Sequence, residues 1–182
     1  GAFFLRNSNS PGGADLVFTF GPGGLGWVPV IGDWNADGVD TIGLYAPSTG
    51  TFFLKNSNTA GPANVVFGFG AGGVGLAPIV GDWNGDGVDT VGVYSQASGF
   101  FFLRNSNAAG PADAVVGFGP SASGWTPLAG DWDGNGTDTI GLYAPQSGFY
   151  FLRNANAPGP ADTVFGYGPS GAMPLVGDWD GE

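Results

Sequence analysis

Asp33, Asn35 and Asp37 place oxygen-bearing side chains at alternate positions of the stretch GDWNADGVDTIGLY (32–45), and Asp40 follows within the same eight residues. No cation stands among them. Hard oxygens spaced in this way converge on one point when the chain coils tightly, which is how a calcium loop gathers ligands. Gly38, sixth in the run, permits the sharp turn such a loop needs. The carbonyl of Val39, at position seven, would add one more oxygen. The stretch returns as GDWNGDGVDTVGVY (81–94), with Asp82, Asn84, Asp86, Val88 and Asp89. It returns again as GDWDGNGTDTIGLY (130–143), with Asp131, Asp133, Asn135, Thr137 and Asp138. A fourth copy, GDWDGE (177–182), offers only Asp178 and Asp180 before Glu182 and is expected to bind poorly or not at all. Carboxylates crowded without a cation repel one another, and calcium relieves that repulsion. Zinc or copper would call for His or Cys, and the chain has neither. Magnesium favours fewer protein ligands. The competing reading is an Asx-rich turn repeated for its geometry alone.

Charge follows the same pattern. The net charge is −11, and twelve of the fifteen acids lie in these four loops. Such a surface has no basic stripe to neutralise phosphates, so nucleic acid is excluded as a partner. Without His or Cys there is no common general base, no thiolate and no disulfide, and the single Glu is terminal. The chain is therefore not expected to be an enzyme. No apolar run is long enough to cross a bilayer.

The elements that must carry these loops repeat with them. Asp33, Asp82 and Asp131 stand 49 residues apart, as do the four cations Arg6, Lys55, Arg104 and Arg153. Each unit holds four short apolar runs bounded by Gly, Pro, Asn or Asp, for example APIVGDW (77–83), DTVGVYS (89–95), FFFLRNS (100–106) and DAVVGFG (113–119). The acidic loop joins the first run to the second. A tight turn such as APSTG or QASG joins the second to the third. No window has a helical period, so the expected class is all-β. The expected architecture is a β-propeller of four-stranded antiparallel blades, with about four repeats of 49 residues. The units divide as a partial blade (1–22), three blades (23–70, 71–119 and 120–168) and a truncated first strand (169–182). That phase gives fifteen strands. It leaves open whether four blades close imperfectly, a second chain supplies the missing strand, or more repeats complete a larger ring. A start and a stop inside a repeat suggest a segment of something longer.

The stretch FGFGAGGVGLAPIVGDWNGDGVDTVGVY (67–94) resembles the FG-GAP repeat and the related VCBS-type repeats of bacterial surface proteins. It has the F-G pair, the G-x-x-P element and then D-x-N-x-D-G, and the resemblance covers essentially the whole chain. The resemblance implies one propeller blade per repeat, as in the integrin α-subunit head, with calcium in the hairpin between the first two strands. Carried over, Asp33, Asn35 and Asp37, Asp82, Asn84 and Asp86, and Asp131, Asp133 and Asn135 become metal ligands. The chain departs from the family at the loop's end. The family's last acid falls at position nine, whereas Asp40, Asp89 and Asp138 fall at eight and Thr41, Thr90 and Thr139 at nine, so either could close the site.

Other columns of the repeat read as structure. Trp34, Trp83, Trp132 and Trp179 follow the first loop acid and suit wedging between blades better than sugar stacking. Trp27 and Trp125 occur in only two units, with Leu76 and Ala172 near the equivalent place, and are candidates for ligand contact. The four cations are expected to pair with the column Asp15, Asn64, Asp113 and Asp162. Together these readings describe a calcium-stabilised propeller, secreted or on the cell surface, that binds glycans or surface proteins. The alternatives are a structural spacer or self-assembling surface protein completed by strand exchange, with homo-oligomers or additional repeats closing the ring, and an accessory domain of a larger polysaccharide-acting enzyme.

Overall fold

The computed structural model describes residues 1–73 and 75–177. The chain is built of short strands in pairs and fours: β1 (Ala2–Leu5), β2 (Leu16–Thr19), β3 (Val28–Gly32), β4 (Thr41–Ala46), β5 (Thr51–Leu54), β6 (Val65–Gly68), β7 (Leu76–Gly81), β8 (Thr90–Ser95), β9 (Phe100–Leu103), β10 (Ala114–Gly117), β11 (Thr126–Gly130), β12 (Thr139–Ala144), β13 (Phe149–Leu152) and β14 (Thr163–Gly166). There is no helix among the described residues. The strands form three antiparallel four-stranded meanders, β3 to β6, β7 to β10 and β11 to β14, and one two-stranded sheet of β1 and β2. Three of the four sheets are thus complete four-stranded units of the kind a blade requires.

The strands are shorter than the apolar runs. Asp89 of DTVGVYS, the RNS end of FFFLRNS, and Asp113 and Gly119 of DAVVGFG fall outside the strands, because Asp, Asn and Gly leave the ladder readily. The expected fifteenth strand also differs. Residues 172–177 form no strand, and the rest of that segment lies outside the described residues. No described strand pairs with it, and a strand without a ladder partner has unpaired backbone groups to hydrate.

Alternation within each sheet produces the core. Phe52 and Leu54 on one face of β5 are fully buried, as are Phe101 and Leu103 of β9. On the opposite face Phe53, Phe102 and Phe151 are half-buried. The sheets pack face to face, so each interface mixes two units: Phe52, Phe67 and Phe69 of one meander enclose Val91 and Val93 of the next. The following interface repeats this, with Phe101, Val116 and Phe118 against Ile140 and Leu142. Phe18 and Phe20 of the first pair meet Ile42 and Leu44 in the same manner. The first strands of adjacent units, β3 with β7 and β7 with β11, also contact one another. They border a shared open depression that includes Val30, Ile79 and Leu128. Blade-like sheets fanned about their first strands are therefore present, and no closed ring is seen among the described residues.

Candidate metal loops and the contacts between units

Each acidic loop is the hairpin connection between the first and second strands of a meander. The ladder of β3 with β4 ends at the pair Gly32 and Thr41, so Asp33 to Asp40 are the connection itself. The equivalent pairs are Gly81 with Thr90 and Gly130 with Thr139. The glycine at loop position six takes left-handed backbone in all three, at φ +80° for Gly38, +84° for Gly87 and +82° for Gly136. Position four is left-handed too. Gly85 and Gly134 adopt it freely, whereas Ala36 is held there at φ 56°.

The first acid is the hub of each loop. Asp33 accepts hydrogen bonds from the N–H groups of Asn35 (3.3 Å), Asp37 (3.1 Å) and Gly38 (2.7 Å). Asp82 and Asp131 are wrapped similarly, with the position-four glycine in place of the position-three amide: Gly85, Asp86 and Gly87 donate to Asp82, and Gly134, Asn135 and Gly136 to Asp131, the position-six glycines at 2.7 Å. Gly136 is the main cause of the lowered pKa of Asp131, helped by the Asn135 and Gly134 amides against a desolvation penalty. For Asp33, burial raises the pKa, but four loop amides together outweigh it and hold the carboxyl below its ordinary value. The side chains at positions three and five lie against each other: Asn35 Nδ2 donates to Asp37 Oδ2 at 2.9 Å, and Asn84 Nδ2 to Asp86 Oδ2 at 2.9 Å. In the first two loops positions three and five are therefore side by side, and in all three loops positions one, three and five carry only carboxylate or amide side chains, a donor set that fits calcium. The amide that now donates to a carboxylate offers an oxygen to a cation after a simple flip. Among the described residues the salt bridges are Arg104 with Asp113 and Arg153 with Asp162, so no cation neutralises these loops.

Positions eight and nine face elsewhere. The Asp89 carboxylate accepts the N–H of Asp33 at 2.8 Å, and the Asp89 N–H donates to the Asp33 carbonyl at 2.9 Å. Asp138 makes the same two bonds to Asp82, at 2.9 and 2.8 Å. Each is a two-way bridge from one unit's loop to the first residue of the preceding loop. The bridge requires glycine beneath it. A Cβ on Gly32 would stand 2.9 Å from Asp89 Cβ, and one on Gly81 2.8 Å from Asp138 Cβ. Asn107 and Asn156 steady the bridge by donating to the Asp89 and Asp138 carbonyls. Burial raises the pKa of Asp89 to about 6, against the bond from Asp33 and with the help of the Asp138, Asp40 and Asp82 charges. Burial raises that of Asp138 as well. The position-nine threonines are buried, and Thr41 donates inward to the Lys55 carbonyl at 2.6 Å and Thr139 to that of Arg153 at 2.7 Å. The Asp89 and Asp138 carboxylates are thus engaged with the preceding loop, and the Thr139 hydroxyl with the strand scaffold. Asp40 is exposed and makes no such bridge among the described residues. Sequence spacing gave no sign of the bridge, because its partner lies 56 residues away.

The remaining columns settle into the scaffold. Trp34 and Trp83 are buried and Trp132 half-buried; Trp179, Asp178 and Asp180 lie outside the described residues. Trp27 stacks on Phe53 and Trp125 on Phe151, each with centroids 4.7 Å apart. Arg104 and Arg153 pair with Asp113 and Asp162 as the sequence suggested, and both also bond carbonyls of the loop between the third and fourth strands. Arg6 departs from the expectation. It holds only Ser10, Pro11 and Gly13 of its loop, while Asp15 accepts the N–H of Asn7. Lys55, opposite Asn64, donates to the Pro62 carbonyl instead. No helix among the described residues is long and apolar enough to cross a membrane. Comparison with family models, with curated proteins and with solved structures finds no match to this chain.

Proposed function

We propose that the chain is a calcium-stabilised, propeller-type repeat module of an exported protein, and that it binds glycans or proteins through its loops without catalysing a reaction. What supports the calcium reading most is the threefold recurrence of one loop geometry. In each copy an acid is wrapped by loop amides, glycine turns the chain at position six, and oxygen side chains stand at positions one, three and five with no cation beside them. The ligands would be the side chains of Asp33, Asn35 and Asp37, Asp82, Asn84 and Asp86, and Asp131, Asp133 and Asn135, with the position-seven carbonyls. Bound calcium would neutralise the charge that crowds these hairpins. Weak, repeated sites of this sort suit the millimolar calcium outside cells.

Thermal unfolding in calcium and in chelator tests the reading. Calcium is expected to raise the melting temperature, saturating near three ions per chain and reproduced poorly by magnesium. A melting temperature indifferent to calcium would leave the loops as turn chemistry and remove the basis for the proposal.

A second reading, assembly with further repeats or a second copy, is favoured by one observation. Tyr167 is 75% exposed and Phe165 42%, whereas Phe69 and Phe67 at the equivalent positions are 4% and 7% exposed beneath the next unit. Analytical ultracentrifugation separates the two readings: a monomer at all concentrations argues against self-assembly.

A further inference from the structure

The two tryptophans of the 49-residue repeat that are present in some units and absent in others mark one position, and its geometry differs where the tryptophan is missing. Trp27 lies flat on Phe53 and Trp125 flat on Phe151, in both cases at 4.7 Å and 17° between planes. Each stack packs in one apolar cluster with the alanine of the next loop, Ala63 or Ala161, and the preceding unit's phenylalanine, Phe20 or Phe118. The middle unit keeps the phenylalanines and the alanine as Phe102, Phe69 and Ala112 but carries Leu76 in place of the indole. At that point a cleft of about 420 Å³ opens, lined by Phe69, Leu76, Val93, Ser95, Phe102 and Ala112. This size falls in the ~300–1,000 Å³ range of small-molecule pockets.

The cleft is not the result of one truncation. Four residues on its wall differ from both flanking units, and they come from separate parts of the repeat. Ala71 replaces the prolines Pro22 and Pro120, and Leu76 replaces the two tryptophans. Val93 replaces Leu44 and Leu142, and Ser95 replaces Ala46 and Ala144. Three of the changes remove volume, and the fourth puts a hydroxyl on an otherwise apolar wall. Clefts walled mostly by hydrophobic and aromatic side chains, with a few placed polar groups, are the usual form of small-molecule sites.

We propose that the cleft between Phe69, Leu76 and Phe102 is a binding site for one planar aromatic ring of indole size, stacked on Phe102 as the indoles of the flanking units stack on Phe53 and Phe151. Ser95 supplies a hydrogen-bonding group for the polar edge of that ring, which Ala46 and Ala144 could not. Leu76 and Phe102 are half-buried, so the face of the ring site is open to solvent. The site does not depend on the calcium loops, and its test is run in saturating calcium so that the two readings fail separately.

The probe is indole, with N-acetyltryptophanamide as a second arm. At about tenfold Kd, indole should raise the melting temperature by roughly 3–6 °C and should shift the methyl resonances of Leu76 and Val93 while leaving those of Leu44 and Leu142 unmoved. Leu76→Trp fills the slot from within: the variant should melt higher than the parent without ligand and lose the response to indole. Should Leu76→Trp fail to fold, Val93→Leu with Ser95→Ala restores the flanking units' residues and should weaken binding at least tenfold. Tighter binding of indole identifies a free ring as the natural occupant, and tighter binding of the amide identifies a tryptophan side chain. No binding of either up to the solubility limit, or an unchanged response in the filled variants, overturns the proposal.

Discussion

Replacing Asp89 separates its two possible duties, as a bridge between units and as the last ligand of its own loop. Its carboxylate takes the Asp33 N–H at 2.8 Å in a half-buried place, where water cannot readily substitute. Asp89→Ala strands that donor. An unsatisfied buried donor costs about 1–3 kcal/mol, which for a chain of this size lowers the melting temperature by roughly 2–10 °C. Asp89→Asn keeps an acceptor oxygen and removes the charge that burial and the Asp138, Asp40 and Asp82 carboxylates oppose. In chelator it should therefore be as stable as the parent or more so. The same charge sets a pH dependence. The folded pKa of about 6 lies above the ordinary 3.8, so the folded state takes up the proton first. Stability contributed by this group is full below about pH 3.8 and is lost as pH rises through 6, and Asp89→Asn should flatten that slope. Chemical denaturation between pH 4 and pH 7 in chelator reads the parent and both variants. If Asp89→Asn is as unstable as Asp89→Ala, the bridge is not a hydrogen bond to a neutral-tolerant acceptor and the reasoning fails. The calcium increment then assigns the second duty: a bridge alone leaves it intact in Asp89→Asn, whereas a closing ligand loses about one ion of three.

Two other perturbations probe the same framework. Ala36→Gly should stabilise the first loop by about 0.5–1 kcal/mol in denaturant unfolding, because Ala36 is held at φ 56° where the other loops place Gly85 and Gly134; no gain would mean the loop relaxes around alanine at no cost. Phe69→Ala should cost about 3–5 kcal/mol, since Phe69 is 4% exposed against the next sheet. Its repeat equivalent Tyr167, 75% exposed, should tolerate the same change with a small loss, and equal losses would show that the last meander is covered in solution.

What the sequence revealed and what it concealed divide along the range of the contacts. Strand order and hairpin turns rest on short apolar runs and on the turn residues between them, all within one unit, and were legible. The inner face of the loop was legible as well, because Asp33, Asn35, Asp37 and Gly38 are local. The direction of Asp89 was not. Position eight of a loop looks like a late ligand when only the loop is read, and nothing nearby in sequence points to Asp33. Trp27 and Trp125 were singled out by their uneven occurrence, which was a sound signal for unit-specific geometry. In the structure the two indoles are half-buried and stack on phenylalanine, and a larger cleft lies where Leu76 stands in their place.

The bridge also explains why the acids repeat at position eight in a chain otherwise sparing of charge. A carboxylate with a raised pKa is a poor choice for stability alone, and an asparagine would hold the same N–H without a desolvation penalty. Retaining Asp at both bridging positions makes sense if the charge acts on something beyond the bridge. Asp89 and Asp138 hold onto the residues Asp33 and Asp82 that are the hubs of the preceding loops, so their charge falls on those loops as well as on their own. A cation in one loop would then lower the penalty of the bridging acid from the next, and each unit would be steadied by its neighbour's metal. Repeats coupled in this way lose stability pairwise. Asp82→Ala should accordingly weaken calcium's effect on the Asp138 bridge, seen as a loss of hydrogen-exchange protection at Asp138 N–H. Protection unchanged at that amide would show that the loops act independently.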